Sequence, residues 1–269
     1  MNLQILQTFE AFLETIPLER YRDSLMPVKT VEQDLPLALN PLPAIYETYW
    51  QPEGPAGRFP DFEDFFAGWW KSHLEPLDEF ISKYFWGCSL DFVRLGFKAR
   101  LYRTLVSVLT QFHFAYTWRT YCQTDLEASA DLDMKGVDAL IRLTDGTKVV
   151  LQVKKETYRR EARGGGHFAQ RGWPGKLVVE VPYTLTDSEG WQRRVERART
   201  RETRDKYSLF AFLASTLQRR LANGFVVFQG DYPRHVEHLI EERAKAGTRG
   251  TIPWDEVLRD VVARSLPKV

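Results

Sequence analysis

The stretch that most constrains the fold is "GVDALIRLTDGTKVVLQVKKE", residues 136–156, which reads as a tight β-hairpin. Two apolar runs flank Thr144-Asp145-Gly146-Thr147, a cluster of turn-forming residues that sends the chain back antiparallel. Three polar residues break the apolar pattern: Asp138 at the start of the first run, and Gln152 and Lys154 at the end of the second. Strand residues two apart point to the same face. Val150, Gln152 and Lys154 therefore share one face, and Val149, Leu151, Val153 and Lys155 the other. Asp138 faces away from Val137, Ala139 and Ile141. The antiparallel return brings Asp138 back to the end of the second strand, so a carboxylate, an amide and an ammonium converge at one end of a sheet.

The rest of the chain supplies elements around this hairpin. Residues 2–16 have helical spacing, with Leu3, Leu6, Phe9, Phe12 and Leu13 on one face. Prolines punctuate a loop-rich stretch over 27–60, and helical patterns resume over 61–85. The aromatics of 61–85 are expected in a core rather than stacked on bases. Residues 90–118 read as a long, mostly buried helix whose Arg94, Lys98, Arg100 and Arg103 emerge along one side. After the hairpin, residues 176–185 read as a third strand and 188–223 as a helical region. Gly224 is then a helix stop, and 225–229 a fourth strand. The tail from His235 is helical with a break at 247–253. This order predicts an α/β (α+β) fold, a central mixed β-sheet flanked by helices. The organisation expected is a helical, proline-rich elaboration over 1–88 and a core over 89–269.

Charge is unevenly distributed. The net charge of +1 hides 14 Asp/Glu against 6 Lys/Arg in residues 1–90, so the remainder carries the excess of base. Of 37 Lys and Arg, 25 are Arg, the side chain suited to phosphate forks and guanine edges. A polyanionic partner fits this asymmetry, as does a solvated basic helix face. Two cysteines, Cys88 and Cys122, form no disulfide framework or zinc spacing. No apolar run reaches bilayer length, and the N-terminus lacks the layout of a signal peptide, so the expected location is the cytoplasm, with no membrane partner. Gly164–Gly166 lack the Lys-Ser/Thr ending of a phosphate loop, and no glycine-rich cofactor loop precedes an N/D-P-P-Y/F tetrapeptide, which argues against a DNA methyltransferase.

The converging polar residues suit a divalent-metal phosphodiesterase. Asp138 supplies a hard anionic oxygen for Mg²⁺. The Val153 carbonyl and the Gln152 amide oxygen complete the protein's share of the shell. Lys154 contacts the scissile phosphate, orients or deprotonates the attacking water and stabilises transition-state charge. A second carboxylate is sought among Glu127, Asp131 and Asp133, each of which alone reads as a turn or cap residue. The pattern Asp, thirteen residues, Gln-x-Lys resembles the PD-(D/E)xK nuclease motif in its variant with Gln at the acidic position. It departs from that motif in having Val137 rather than proline before Asp138, and in the uncharged Gln152.

The longer text is more specific. "KTVEQDLPLALNPLP", "FFAGWWKSHLEPLDEFISKYFWGC", "FVRLGFKARLYRT", "TQFHFAYTW", "GVDALI", "QVKKETYR" and "ANGFVVF" together resemble the TaqI-type type II restriction endonucleases over most of the chain. The resemblance implies a restriction-endonuclease-like fold. It also implies a Mg²⁺-dependent enzyme that cuts double-stranded DNA at TCGA, after the T, leaving 5′-phosphate ends. Such an enzyme acts as a homodimer on its palindrome and is paired functionally with a cognate adenine methyltransferase. By resemblance Asp138 is the metal-binding aspartate and Asp133 the second catalytic and metal-binding acid; Glu127, which precedes the first strand, is the alternative to Asp133 that the residues themselves leave open. Gln152 and Lys154 form the second half of the motif, and Lys155 is the register alternative to Lys154.

DNA contact is expected from Lys155, Arg159, Arg160, Arg163, His167, Arg171 and Lys176, then from the arginines of 193–204, Arg194 among them. Rival readings are a PD-(D/E)xK nuclease of repair or structure-selective type, and a non-catalytic DNA-binding protein on the same fold.

Overall fold

A computed structural model describes residues 2–28, 35–55, 57–156, 173 and 175–265. It divides into two compact units: Leu3–Phe112 with Leu221–Phe225, and His113–Arg220 with Val226–Val269.

The first unit is helical and aromatic. Helix α1 (Asn2–Glu14) buries Ile5, Leu6, Phe9, Phe12 and Leu13, while Leu3 is exposed, so the inward stripe is one residue narrower at its start than its spacing implies. Next come α2 (Leu18–Ser24), α3 (Leu42–Tyr49), α4 (Phe62–Ser72), α5 (Leu74–Tyr84) and α6 (Leu90–Tyr121). The proline-rich stretch expected as loop thus contains α3, which carries Pro43 in its first turn, where a missing N–H costs nothing. Asp61 caps α4 by accepting from the Asp64 N–H at 2.9 Å. Phe62, Phe65, Phe66 and Trp69 are buried, as core aromatics should be. Of the basic residues expected to emerge along α6, Arg94 is exposed and lies over the rings of Phe66 and Trp70, while Lys98 is half-buried and pairs with Glu63 at 2.5 Å. Asn223 donates to the Leu13 and Ile16 carbonyls at 2.7 and 2.8 Å and so finishes the end of α1.

The second unit carries the sheet. Its strands are β1 (Asp125–Glu127), β2 (Ala139–Arg142), β3 (Lys148–Lys155), β4 (Leu177–Tyr183), β5 (Gln218–Arg220), β6 (Val226–Phe228) and β7 (Gly250–Ile252). Five form a mixed sheet in the order β1-β2-β3-β4-β7, antiparallel across the first two pairings and parallel across the last two. Helices α7 (Ala130–Met134), α8 (Ser188–Arg197), α9 (Arg201–Phe212), α10 (Asp231–Lys245) and α11 (Trp254–Ser265) complete the unit. The expected class, a mixed sheet flanked by helices with a helical N-terminal region, is the one observed. Among the described residues no helix is long and apolar enough to cross a membrane.

Three assignments are corrected. The strand expected at 225–229 does not join the central sheet; β6 pairs with β5 in a separate two-stranded sheet. Residues 218–220, expected as helix, are β5, and Gly224 belongs to the β5–β6 turn rather than stopping a helix. Short strands beside glycine and arginine give little periodicity, so helix and strand cannot be told apart there. The expected break at 247–253 contains β7, the edge of the central sheet, whose three residues are stabilised by pairing with Leu177–Val179.

Pro182 sits inside β4 yet beyond the reach of β7, which ends opposite Val179, so its missing N–H falls where β4 has become an edge. Its carbonyl accepts from the Tyr232 hydroxyl at 2.7 Å. Gly230, which precedes α10, lies against the Tyr121 ring so closely that a Cβ there would meet ring carbons at 2.8–2.9 Å. Its backbone φ of −60° suits any residue, so only the ring excludes a side chain. Gly230→Ala is therefore expected to destabilise the protein by about 1–3 kcal/mol in urea unfolding. The same change in a Tyr121→Ala background should cost little.

Candidate active site

The hairpin forms as the sequence requires. The Leu143 N–H bonds the Thr147 carbonyl at 2.9 Å, Gly146 takes φ +82°, and the Asp145 side chain accepts from the Thr147 N–H at 2.8 Å. The register pairs Ala139 with Leu151 and Leu140 with Val150. On the other side of β3, Val150 pairs with Val178 and Gln152 with Glu180. One face of the sheet therefore carries an apolar row, Leu140–Val150–Val178, which packs with Leu132 and Val137 in a buried cluster. The next row on that face is polar: Asp138, Gln152 and Glu180. Lys154 follows two residues further along β3.

Asp138 immediately precedes β2, and its Oδ2 accepts from the Val153 N–H at 2.5 Å. This bond ties the first carboxylate to the middle of the Gln-x-Lys segment. Gln152 is buried and its Nε2 donates to the Gly136 carbonyl at 2.5 Å, which leaves Oε1 as the acceptor end of the amide. Lys154 keeps about a fifth of its side chain exposed, and its ammonium bonds the carboxylate of Glu180, which is 6 % exposed. The structure thus brings together Asp138, Gln152, Val153 and Lys154.

Glu180 completes this row from β4, outside the hairpin that the sequence singles out. Its signal was present: a lone acid inside the apolar run "KLVVEVPYTL" is the same kind of interruption that marks Gln152 and Lys154.

Asp133 lies on α7, capped by the Ser129 side chain, which accepts from the Leu132 N–H at 3.3 Å. The turn out of α7 is closed by bonds from Gly136 N–H to the Asp133 carbonyl and from Val137 N–H to the Leu132 carbonyl. Gly136 takes φ +76°. That turn delivers Asp133 close enough for its charge to act on Asp138. Glu127 lies on β1 opposite Leu140, with its carboxylate 3.9 Å from Arg142 at the hairpin end of β2. Asp131 is exposed on α7.

Of the residues expected to touch DNA, Arg159, Arg160, Arg163, His167 and Arg171 lie outside the described residues. Lys155 is exposed at the end of β3, and Lys176 is exposed just before β4. Arg194 on α8 stacks over Trp191, 4.4 Å from the ring centroid, and lies 3.9 Å from Glu156, which follows directly on β3. Arg193, Arg194 and Arg197 line an open cavity of about 370 Å³ with Asp187 and Gly190 at the start of α8.

Burial, then the Asp133 charge, pushes the Asp138 carboxyl up from 3.8 to about 8; the Val153 N–H and the Lys154 ammonium pull the other way. Between those two values the native state holds a proton that the unfolded chain has lost, so stability falls as pH rises through that window. In EDTA, the protein is expected to lose stability from pH 5 to pH 8 in urea unfolding, and Asp138→Asn to flatten that slope. An equal slope in the variant would remove Asp138 as its source.

The TaqI restriction endonuclease family model matches residues 6–240. The chain is 50% identical over 259 residues to the type II restriction enzyme TthHB8I of Thermus thermophilus, covering 96% of each chain. It is 47% identical over 257 residues to the type II restriction enzyme TaqI of Thermus aquaticus, covering 96% of this chain and 95% of the relative. No solved structure matches it. The Asp138/Gln152/Lys154 constellation thus stands in a chain that belongs to the TaqI restriction endonuclease family, the type II restriction enzymes that hydrolyse DNA.

Proposed function

We propose that this enzyme cleaves duplex DNA at TCGA, after the T, with Mg²⁺, and leaves 5′-phosphate ends. It acts as a homodimer matched to the palindrome, and a cognate adenine methyltransferase protects the host sequence. The observation that carries the catalytic part is the polar row itself: Asp138 bonded to Val153 N–H, with Gln152 and Lys154 on the same face. The likeness over nearly the whole chain to TaqI-family enzymes supports the choice of site.

The donor set fits Mg²⁺. Among the described residues no group of three or more His, Cys, Asp or Glu is gathered to hold a metal. Mg²⁺ needs no such cage, because it takes one or two carboxylates and fills its octahedron with water and phosphate oxygens. Asp138 is pushed toward its protonated form by burial and by Asp133, a deficit that a divalent cation relieves. Asp138 and Asp133 would hold the ion. In a strand the N–H and C=O of one residue point to the same neighbour. The Val153 carbonyl therefore turns, like its N–H, toward Asp138 and would join the ligands, as would Gln152 Oε1. When bound, the cation lowers the pKa of water and neutralises charge on the phosphoryl group.

The remaining work falls to the protein. Asp138 is fixed by the Val153 N–H, so its carboxylate is preorganised rather than recruited. Lys154 presents an ammonium at the same end of the sheet, where it meets the scissile phosphate and orients the attacking water. Lys155, Lys176 and Arg194 contact phosphates and set the register of the duplex, as do Arg159, Arg160, Arg163, His167 and Arg171.

A digest of plasmid DNA with Mg²⁺ is expected to give discrete fragments whose sequenced ends share one stagger within TCGA; a smear would remove site-specific cutting. Asp138→Ala should slow cleavage by at least on the order of 1,000-fold, the scale of losing several kcal/mol of charge stabilisation. It should still bind DNA in Ca²⁺.

A further inference from the structure

Two acidic side chains are buried among the described residues, Glu180 and Glu237. Glu237 has a structural task, since its Oε1 accepts from the N–H groups of Gln123 and Thr124 and from the Thr124 hydroxyl at 2.7–2.8 Å. Glu180 is different. It sits in the middle of β4, on the face that carries Asp138, Gln152 and Lys154, and its carboxylate bonds the Lys154 ammonium. A buried ion pair is weak ground for stability, because apolar residues of similar volume commonly serve the fold as well or better. Its position beside the candidate catalytic lysine gives it a use that the fold alone does not.

Gln152 supplies the reason for that use. Lys154 and Gln152 share a face of one strand, so an acid at 152 would have been the ammonium's neighbour on its own strand. An amide stands there instead, and its nitrogen is committed to the Gly136 carbonyl. Glu180 is the ladder partner of Gln152 on the adjacent strand, so it offers the carboxylate from one strand over. A lysine head on a four-carbon stem has many rotamers.

We propose that Glu180 is a positioning residue: it holds the Lys154 ammonium toward the β4 side, ready for the scissile phosphate. The inference rests on the reading of Lys154 as a catalytic group.

The full-length chain tests it with Glu180→Gln, Glu180→Asp, Lys154→Gln and the double variant Lys154→Gln/Glu180→Gln, which leaves neither charge unpaired. Single-turnover cleavage of plasmid DNA with Mg²⁺ is expected to slow on the order of 100-fold in Glu180→Gln, the scale of a misplaced reacting group. Glu180→Asp, which keeps the charge with a shorter reach, should slow it less. DNA affinity in Ca²⁺ and the Mn²⁺ concentration giving half-maximal thermal stabilisation should match those of the unsubstituted chain. In the Lys154→Gln background, Glu180→Gln should add no further loss.

Three results would overturn the proposal: unchanged cleavage by Glu180→Gln, an equal loss in the Lys154→Gln background, or a tenfold weaker response to Mn²⁺, which would make Glu180 a metal ligand. Full activity of Lys154→Gln is the separate result that sinks the underlying reading of Lys154, and the proposal with it.

Discussion

A one-residue slip of β3 would turn Gln152 and Lys154 onto the face that now carries Leu151 and Val153, and would put those apolar side chains where the polar row stands. The rest of the site depends on this register. It is pinned from both sides: Ala139 opposite Leu151 in the antiparallel pairing with β2, and Gln152 opposite Glu180 in the parallel pairing with β4. It is also pinned by side chains, because Asp138 takes the Val153 N–H and Gln152 reaches the Gly136 carbonyl. The groups proposed for chemistry are therefore among those that fix the strand carrying them.

The same face explains how the protein tolerates ionisable groups at the end of a core. The row Leu140–Val150–Val178 is buried against Leu132 and Val137, and one step along each strand the side chains become Asp138, Gln152 and Glu180. Desolvation there penalises every charge, so each must find a partner. Gln152 finds its partner at the Gly136 carbonyl in the turn before β2 and Lys154 at Glu180 on β4, while Asp138 has a backbone donor, a nearby ammonium and an opposing Asp133 charge, and its carboxyl is pushed up to about 8. A bound cation, as proposed for this site, would relieve that imbalance.

The hairpin and its polar residues were legible because two apolar runs flank a turn cluster over residues 136–156, and polar interruptions in such runs stand out. Glu180 was equally visible as an interruption, yet its meaning depends on β4 lying parallel beside β3, a long-range pairing that no local pattern encodes. The strands at 218–220 and 250–252 escaped for a related reason: each is three residues long and exists through its partner. Arg94 and Lys98 read as an exposed basic side of α6. Arg94 is exposed as read, but the ring faces of Phe66 and Trp70 and the Glu63 carboxylate, all on α4, give both residues partners that the spacing does not show. Side-chain fate on a long helix is set by what packs against it.

The segregation of charge gives the nuclease chemistry a place in the chain. The acidic excess of residues 1–90 lies almost wholly in the helical first unit, whose buried surface is aromatic: Phe9, Phe12, Tyr49 and Phe59 interlock with centroid spacings of 5.1–6.2 Å. A surface of that sign repels a phosphate backbone. The second unit carries the compensating base, and there Lys154, Lys155 and Glu156 run in sequence off the end of β3 to the Arg194 guanidinium. The basic groups thus begin where the polar row ends. An arginine stacked on Trp191 has less rotamer freedom to lose when a phosphate arrives than a solvated lysine would. The groups proposed for phosphate contact and for phosphate chemistry therefore follow one another along β3, so that the register fixing Asp138 and Lys154 also fixes the start of the basic stretch.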